Sequence, residues 1–141
     1  MSDNIKKQCF SIGFIGGSLE SAVGQTHQIA TQMDGRWVLA AGCFSQSEKI
    51  NQATASAWGV PAEHCYESYQ SLIDNEKGRL DALVILTPTP SHTDIVISAL
   101  NAGYAVICEK ALCASSRDAK LIASAVKNNE QFLAVTLNYT G

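Results

Sequence analysis

The chain has 141 residues, of which 46% are hydrophobic, and a formal net charge of -3. That length suffices for one domain with a buried core and no metal or disulfide staple, and the composition argues against disorder. No basic cluster is present, which excludes the long-range attraction that nucleic acid or an anionic membrane surface would need.

The opening "MSDNIKKQ" has no apolar stretch, so no secretory signal is expected, and the longest apolar runs are too short to span a bilayer. "CFSIGFIG" reads as a strand. It is followed by a helix over residues 22–33 with Val23, Ile29, Ala30 and Met33 near one face, and by a break at Asp34 and Gly35. "WVLAAGCF" is a second strand, and "SQSEKINQATASAWG" a helix stopped by Gly59 and Pro61. The stretch over residues 60–79 is less regular, with a short helix near residues 69–73. "DALVILT" then gives a continuous apolar run of the kind that a strand buried on both faces requires. "SHTDIVISALNAG" is a helix ending at Gly103, "YAVICE" a strand, "SSRDAKLIASAVKNN" a helix and "QFLAVTLNY" a last strand.

Strands alternating with helices predict an α/β fold of three layers, a doubly wound and mostly parallel Rossmann-like sheet in a single domain over residues 1–141. The five cysteines, Cys9, Cys43, Cys65, Cys108 and Cys113, show no paired short spacing, and three lie in apolar runs. They read as reduced, buried thiols of a cytosolic protein, with no disulfide framework and no metal site.

In such a sheet ligands bind beyond the carboxyl ends of the strands. There the sequence places Gly16, Gly17 and Ser18, then Ser45, then "TPTPSH", then Glu109 and Lys110. A dinucleotide fingerprint needs one glycine for the turn, a second for approach of the pyrophosphate and a third to pack helix on strand. Counted from Gly16, the second position holds Ser18, the third holds Ser21, and Gly24 arrives three residues late. The turn is therefore either a lengthened phosphate cradle or a plain structural turn. As a cradle, it has Ser18 at the approach position and Gly24 packing the delayed helix, while residues 19–23 either fold over the pyrophosphate or bulge into solvent.

Where an acid usually meets the adenosine ribose of NAD, this chain has Ser45, with Lys49 nearby. A carboxylate would repel a 2'-phosphate, so the cofactor is NAD or NADP with NADP favoured. Ser45 and Glu48 also have the spacing of a capping box, which accounts for both residues without a ligand. His92 either reaches into a cleft or caps and packs its helix. Glu109 and Lys110 are either a solvated pair or, following the buried run "YAVIC", functional charges. In the second case Lys110 would hold a substrate hydroxyl and favour its alkoxide.

With "GFIGG" before a histidine-bearing helix, "TPTPSH", "VICEKAL" and a terminal "NY", the chain resembles the N-terminal domain of the glucose-fructose oxidoreductase, inositol dehydrogenase and rhizopine-catabolism family. The resemblance covers nearly the whole chain and implies Thr87, Pro88, His92 and Glu109 as cofactor-site residues, beside Gly16, Gly17, Ser18, Ser45 and Lys49. It also implies Lys110 as the catalytic residue near nicotinamide and substrate. Thr89 stands for the family's usual Asn and Ala111 for its usual Pro. Family members continue into a second domain that covers the nicotinamide, supplies a histidine and often mediates oligomers. The resemblance thus implies that a chain ending at Gly141 is a truncated and catalytically incomplete domain. The parent reaction would be hydride transfer at a hydroxyl carbon of a sugar, cyclitol or related polyol. The alternative is a non-catalytic nucleotide-binding or assembly module.

Overall fold

A computed structural model describes residues 9–137. Asn138 and Tyr139, the terminal "NY" of the resemblance, lie outside the described residues. Five strands, β1 (Phe10–Gly16), β2 (Trp37–Cys43), β3 (Ala82–Leu86), β4 (Ala105–Glu109) and β5 (Leu133–Thr136), form one sheet in the order β2-β1-β3-β4-β5. Every pairing is parallel. The helices are α1 (Ala22–Gln32), α2 (Glu48–Ala57), α3 (Tyr69–Asn75), α4 (His92–Asn101) and α5 (Ser116–Asn129). The α/β alternation read from the sequence is thus realised as a Rossmann-like sheet.

Alternation along the strands divides the core in two. Ile15, Leu83, Ile85, Val106 and Cys108 meet Leu72 and Ile73 of α3, Ile95, Val96, Ala99 and Leu100 of α4, and Ile122 of α5. On the other face Ile12, Phe14, Val84 and Leu86 meet Phe44 and Ala55 near α2. Strand β3 is buried at all five positions, which is why its sequence is an unbroken apolar run.

Helix α1 departs from the sequence reading. Val23, Ile29 and Met33 are exposed, the last at 81%, whereas Gly24 and Thr31 are buried. The helix approaches the sheet too closely for large side chains, so small and polar residues make its inner surface. Gly24 lies against the backbone of Gly17, and Thr31 satisfies its hydroxyl on the His27 carbonyl at 2.8 Å.

The capping box is a second correction. Ser47, not Ser45, is the N-cap of α2, and its side chain makes no capping bond. Ser45 Oγ instead accepts from the Ser47 backbone N–H at 3.1 Å. The helix is anchored by Asn51, which is buried: its Oδ1 accepts from Phe44 N–H at 2.7 Å and its Nδ2 donates to the Tyr66 carbonyl at 2.8 Å. The irregular segment before β3 closes on the fully buried Glu76, which accepts from Tyr66 Oη at 2.7 Å and pairs with His64 Nδ1 at 2.6 Å.

The cysteines are free thiols, and burial is uneven. Cys108 is buried, Cys43, Cys65 and Cys113 are half-buried, and Cys9 is exposed, so the expectation of uniformly buried thiols is corrected. Burial, and then the nearby Cys65, pushes the Cys43 thiol up to about 11. Burial, followed by Glu109 and Cys113, pushes Cys108 up to about 12. Among the described residues no helix is long and apolar enough to cross a membrane.

Candidate functional site

The chain leaves β1 for β2 on one side of the sheet, while β3 lies on the other side of β1, so the carboxyl ends of β1 and β3 flank a topological switch point. A cleft of about 890 Å3 opens there. Gly16, Gly17, Ser18, Ser45, Thr87, Pro88, Glu109 and Lys110 all line it, although they come from four different strand ends.

Gly16 pairs with Leu86 in the sheet and turns with φ 80°. A Cβ there would stand 2.8 Å from the Thr87 nitrogen. Gly17 also has positive φ, 72°. Neither position admits a side chain without backbone strain. A Cβ on Gly24 would sit 2.1 Å from the Gly17 carbonyl oxygen, so Gly24 does pack the delayed helix on the turn.

Residues 19–23 are tied down at Leu19 and Ser21, while Glu20, Ala22 and Val23 are exposed to solvent. Leu19 N–H donates to Thr54 Oγ1 of α2 at 3.2 Å, and the Leu19 carbonyl accepts from Gln25 Nε2 at 2.6 Å. Ser21 N–H donates to the Ser18 carbonyl at 2.9 Å, and Ser21 Oγ caps α1 by accepting from Gly24 N–H at 3.1 Å. The result is a tight loop ending in the N-terminus of an 11-residue helix, an arrangement with dipole and free donors suited to an anion.

At the carboxyl end of β2, Ser45 and Gln46 line the cleft, and Lys49 does not. Glu67, Ser68 and Tyr69, which sequence reasoning did not single out, also line the cleft. In the "TPTPSH" loop, Ser91 Oγ donates to Thr87 Oγ1 and contacts the Pro88 carbonyl, each at 2.8 Å, and Ser91 itself lines the cleft.

His92 is fully buried and does not line the cleft, so its packing role is the one the geometry displays. Its Nδ1 faces the Ala111 carbonyl at 2.8 Å and its Nε2 the Thr87 carbonyl at 2.6 Å.

The Glu109 carboxylate is turned into a network. Oε1 accepts from His27 Nε2 at 2.8 Å and from Thr136 Oγ1 at 2.7 Å, and Oε2 accepts from Lys110 N–H at 3.1 Å. Burial alone would raise the carboxyl's pKa, but the hydrogen bonds from His27, Thr136 and Lys110 and the charge of His27 outweigh it and hold it below the ordinary value of 4.5. The solvated-pair reading of Glu109 is thereby excluded. Lys110 is exposed on the cleft wall, and the Lys110–Ala111 peptide bond is cis. His27, 82 residues from Glu109, was visible beforehand only as part of the family resemblance. No local spacing connects the two.

A parallel sheet with its cleft at the switch point and a glycine turn beneath a helix N-terminus defines a nucleotide-binding domain of the dinucleotide type. The chain belongs to the GFO_IDH_MocA oxidoreductase family with an NAD-binding Rossmann fold, whose shared pattern matches residues 10–137. It is 32% identical over 131 residues to the uncharacterized oxidoreductase YfiI of Bacillus subtilis, a match covering 90% of this chain and 33% of that protein. It is 27% identical over 137 residues to the levoglucosan dehydrogenase of Pseudarthrobacter phenanthrenivorans, covering 94% of this chain and 34% of that one. Among solved structures, an inositol dehydrogenase homolog from Azotobacter vinelandii complexed with NADH and myo-inositol superposes with a TM-score of 0.87 at 30% identity. That match covers 92% of this chain and 35% of that one. The chain thus spans about a third of the length of the relatives it matches.

Proposed function

We propose that the chain is the cofactor domain of an oxidoreductase that moves hydride between a nicotinamide dinucleotide and a hydroxyl carbon of a sugar, cyclitol or related polyol. One observation carries the reading: the turn of Gly16 and Gly17, kept free of side chains and braced by Gly24, faces the same cleft as Lys110. A Cβ at any of the three glycines would collide with Leu86, Thr87 or the Gly17 backbone, so the glycines keep the turn tight and seat α1 on it, which is the packing a pyrophosphate site needs.

The backbone amides of the turn and the start of α1 would hold the phosphates. Ser45 and Gln46 would meet the adenosine ribose, with Thr87 and Pro88 forming the wall toward the nicotinamide. When bound, the cofactor supplies the carbon that accepts or returns hydride. Lys110 would donate a hydrogen bond to the substrate hydroxyl and favour its ionised form, in the role of catalytic residue. A module that only bound nucleotide would have no need of a lysine at this end of the cleft, and the names of the dehydrogenase relatives support a sugar or polyol substrate.

NADP remains the favoured cofactor because Ser45 stands where a carboxylate would repel a 2'-phosphate. That preference rests on Ser45 and Gln46, since Lys49 lies outside the cleft wall. The complete reaction is assigned to a longer architecture of the relatives' length, in which further residues cover the cleft and exclude water.

Titrating the chain with NADH and NADPH, read by nicotinamide fluorescence, tests the proposal. Saturable binding with NADPH the tighter is expected. No binding of either at millimolar concentration would overturn the cofactor reading, and tighter NADH would overturn the 2'-phosphate preference.

A further inference from the structure

Two histidines meet the residues that flank Lys110, His27 at the Glu109 carboxylate and His92 at the Ala111 carbonyl, and neither lines the cleft. His27 projects from α1, edge-on to Phe14 with ring centroids 6.4 Å apart, and donates to Glu109 Oε1. The other oxygen of that carboxylate accepts the Lys110 N–H. His92, at the start of α4, meets the Ala111 carbonyl on the far side of Lys110. We propose that His27 and His92 are positioning residues, which grip the main chain immediately before and after Lys110 and so fix where its ammonium group meets a bound cofactor. The inference rests on the reading of the cleft as a nicotinamide dinucleotide site.

The physical need is evident from the chain itself. Pairing of β4 with β5 ends at Glu109 and Thr136, so Lys110 is the first residue beyond the ladder. A lysine has a flexible four-carbon stem, and a reacting ammonium must be held within a fraction of an ångström. Anchoring the main chain on both sides removes one source of that freedom. The anchors themselves are rigid. Glu109 Oε1 is held a second time by Thr136, and the His92 ring is fully buried with its other nitrogen on Thr87. A carbonyl oxygen only accepts, so a ring N–H must point at the carbonyl it holds, and the ring lies between those of Thr87 and Ala111. Thr87 lines the cleft beside Lys110, and His92 therefore ties two of its walls together.

The test uses pairs of substitutions of equal severity and opposite expectation in the whole chain. The Asn amide nitrogen falls near Nδ1 of a histidine, and the Gln amide nitrogen near Nε2. His92→Asn keeps the donor to Ala111 and should keep cofactor affinity within about twofold, whereas His92→Gln keeps only the donor to Thr87 and should weaken it about fivefold. For His27 the order reverses: His27→Gln still reaches Glu109, and His27→Asn does not. In a Lys110→Met background the harmful member of each pair should change affinity by less than about twofold, because its route to the cofactor is gone.

A purely packing role predicts no such inversion between the two histidines and equal losses in both backgrounds. Either result would overturn the proposal. If the unaltered chain binds neither NADH nor NADPH, the functional reading fails by itself, and positioning is read without cofactor. The resonance of 13C-dimethylated Lys110, assigned by its loss in Lys110→Arg, should then move in His92→Gln and His27→Asn and stay in His92→Asn and His27→Gln. Unmoved resonances in the first two would overturn it.

Discussion

Gly24 rests on Gly17 so closely that a Cβ on the helix residue would fall 2.1 Å from the carbonyl oxygen of the turn residue. The opposing atoms are backbone on both sides, and no rotamer change can relieve the overlap. Gly24→Ala should therefore lift α1 from the turn and cost about 2 to 4 kcal/mol of stability, which urea unfolding followed by circular dichroism would measure. A cost under about 0.5 kcal/mol would mean that the helix is not seated on the turn.

Glu109 links stability to acidity. Its folded pKa is lowered, so its contribution is fully present above the unfolded value, near 4.5, and is lost as pH falls through the lower folded value. Unfolding free energy measured at successive pH values should fall more steeply for the unaltered chain than for Glu109→Gln as pH drops from about 4.5 through the lower folded value. Parallel profiles would show that the carboxylate is not stabilised by its network.

Asn51 answers two backbone groups, the N–H of Phe44 and the carbonyl of Tyr66. Asn51→Leu would leave both without that partner in a buried setting. A loss of about 2 to 4 kcal/mol is expected by denaturant titration. A neutral outcome would place other donors or water there.

Thiol reactivity should be ordered by position. Cys9 is exposed, whereas Cys43 and Cys108 have pKa values pushed up to about 11 and about 12. Brief treatment with iodoacetamide at neutral pH, followed by peptide mass spectrometry, should label Cys9 first and leave Cys108 intact until the chain unfolds. Early labelling of Cys108 would contradict its burial.

Ser45→Asp places a carboxylate beside Gln46 on the cleft wall. It should lower affinity for NADPH relative to NADH by at least about tenfold, through repulsion of the 2'-phosphate. An unchanged ratio in the two titrations would move the ribose end of the cofactor away from Ser45.

The parts of the fold and site that rest on local rules were readable in advance. The run of β3 announces a strand buried on both faces, and the breaks at Gly35, Gly59 and Gly103 mark ends of elements, so the alternation of strands with helices and the gathering of the strands' carboxyl ends followed. The inner surface of α1 was not readable from apolar periodicity. That surface is made by Gly24, His27 and Thr31, residues with no hydrophobic signature, while Ile29 and Met33 point outward. Ser47, and not Ser45, standing at the N-cap position of α2 is a shift of two residues that side-chain spacing alone does not resolve. The contacts around Lys110 join His27 to Glu109 and His92 to Ala111, across 82 and 19 residues. Only the assembled sheet brings such pairs together.

The tether of Leu19 to Thr54 has a consequence for ligand discrimination. Thr54 belongs to α2, the helix that follows Ser45 and Gln46, and its hydroxyl also bonds back to the Ile50 carbonyl at 2.7 Å. On the proposed reading, that bond joins the loop that would lie beneath the phosphates to the helix that would stand behind the ribose. A cofactor altered only at its adenosine end would then be felt at its pyrophosphate, and selectivity would be a property of the joined pair.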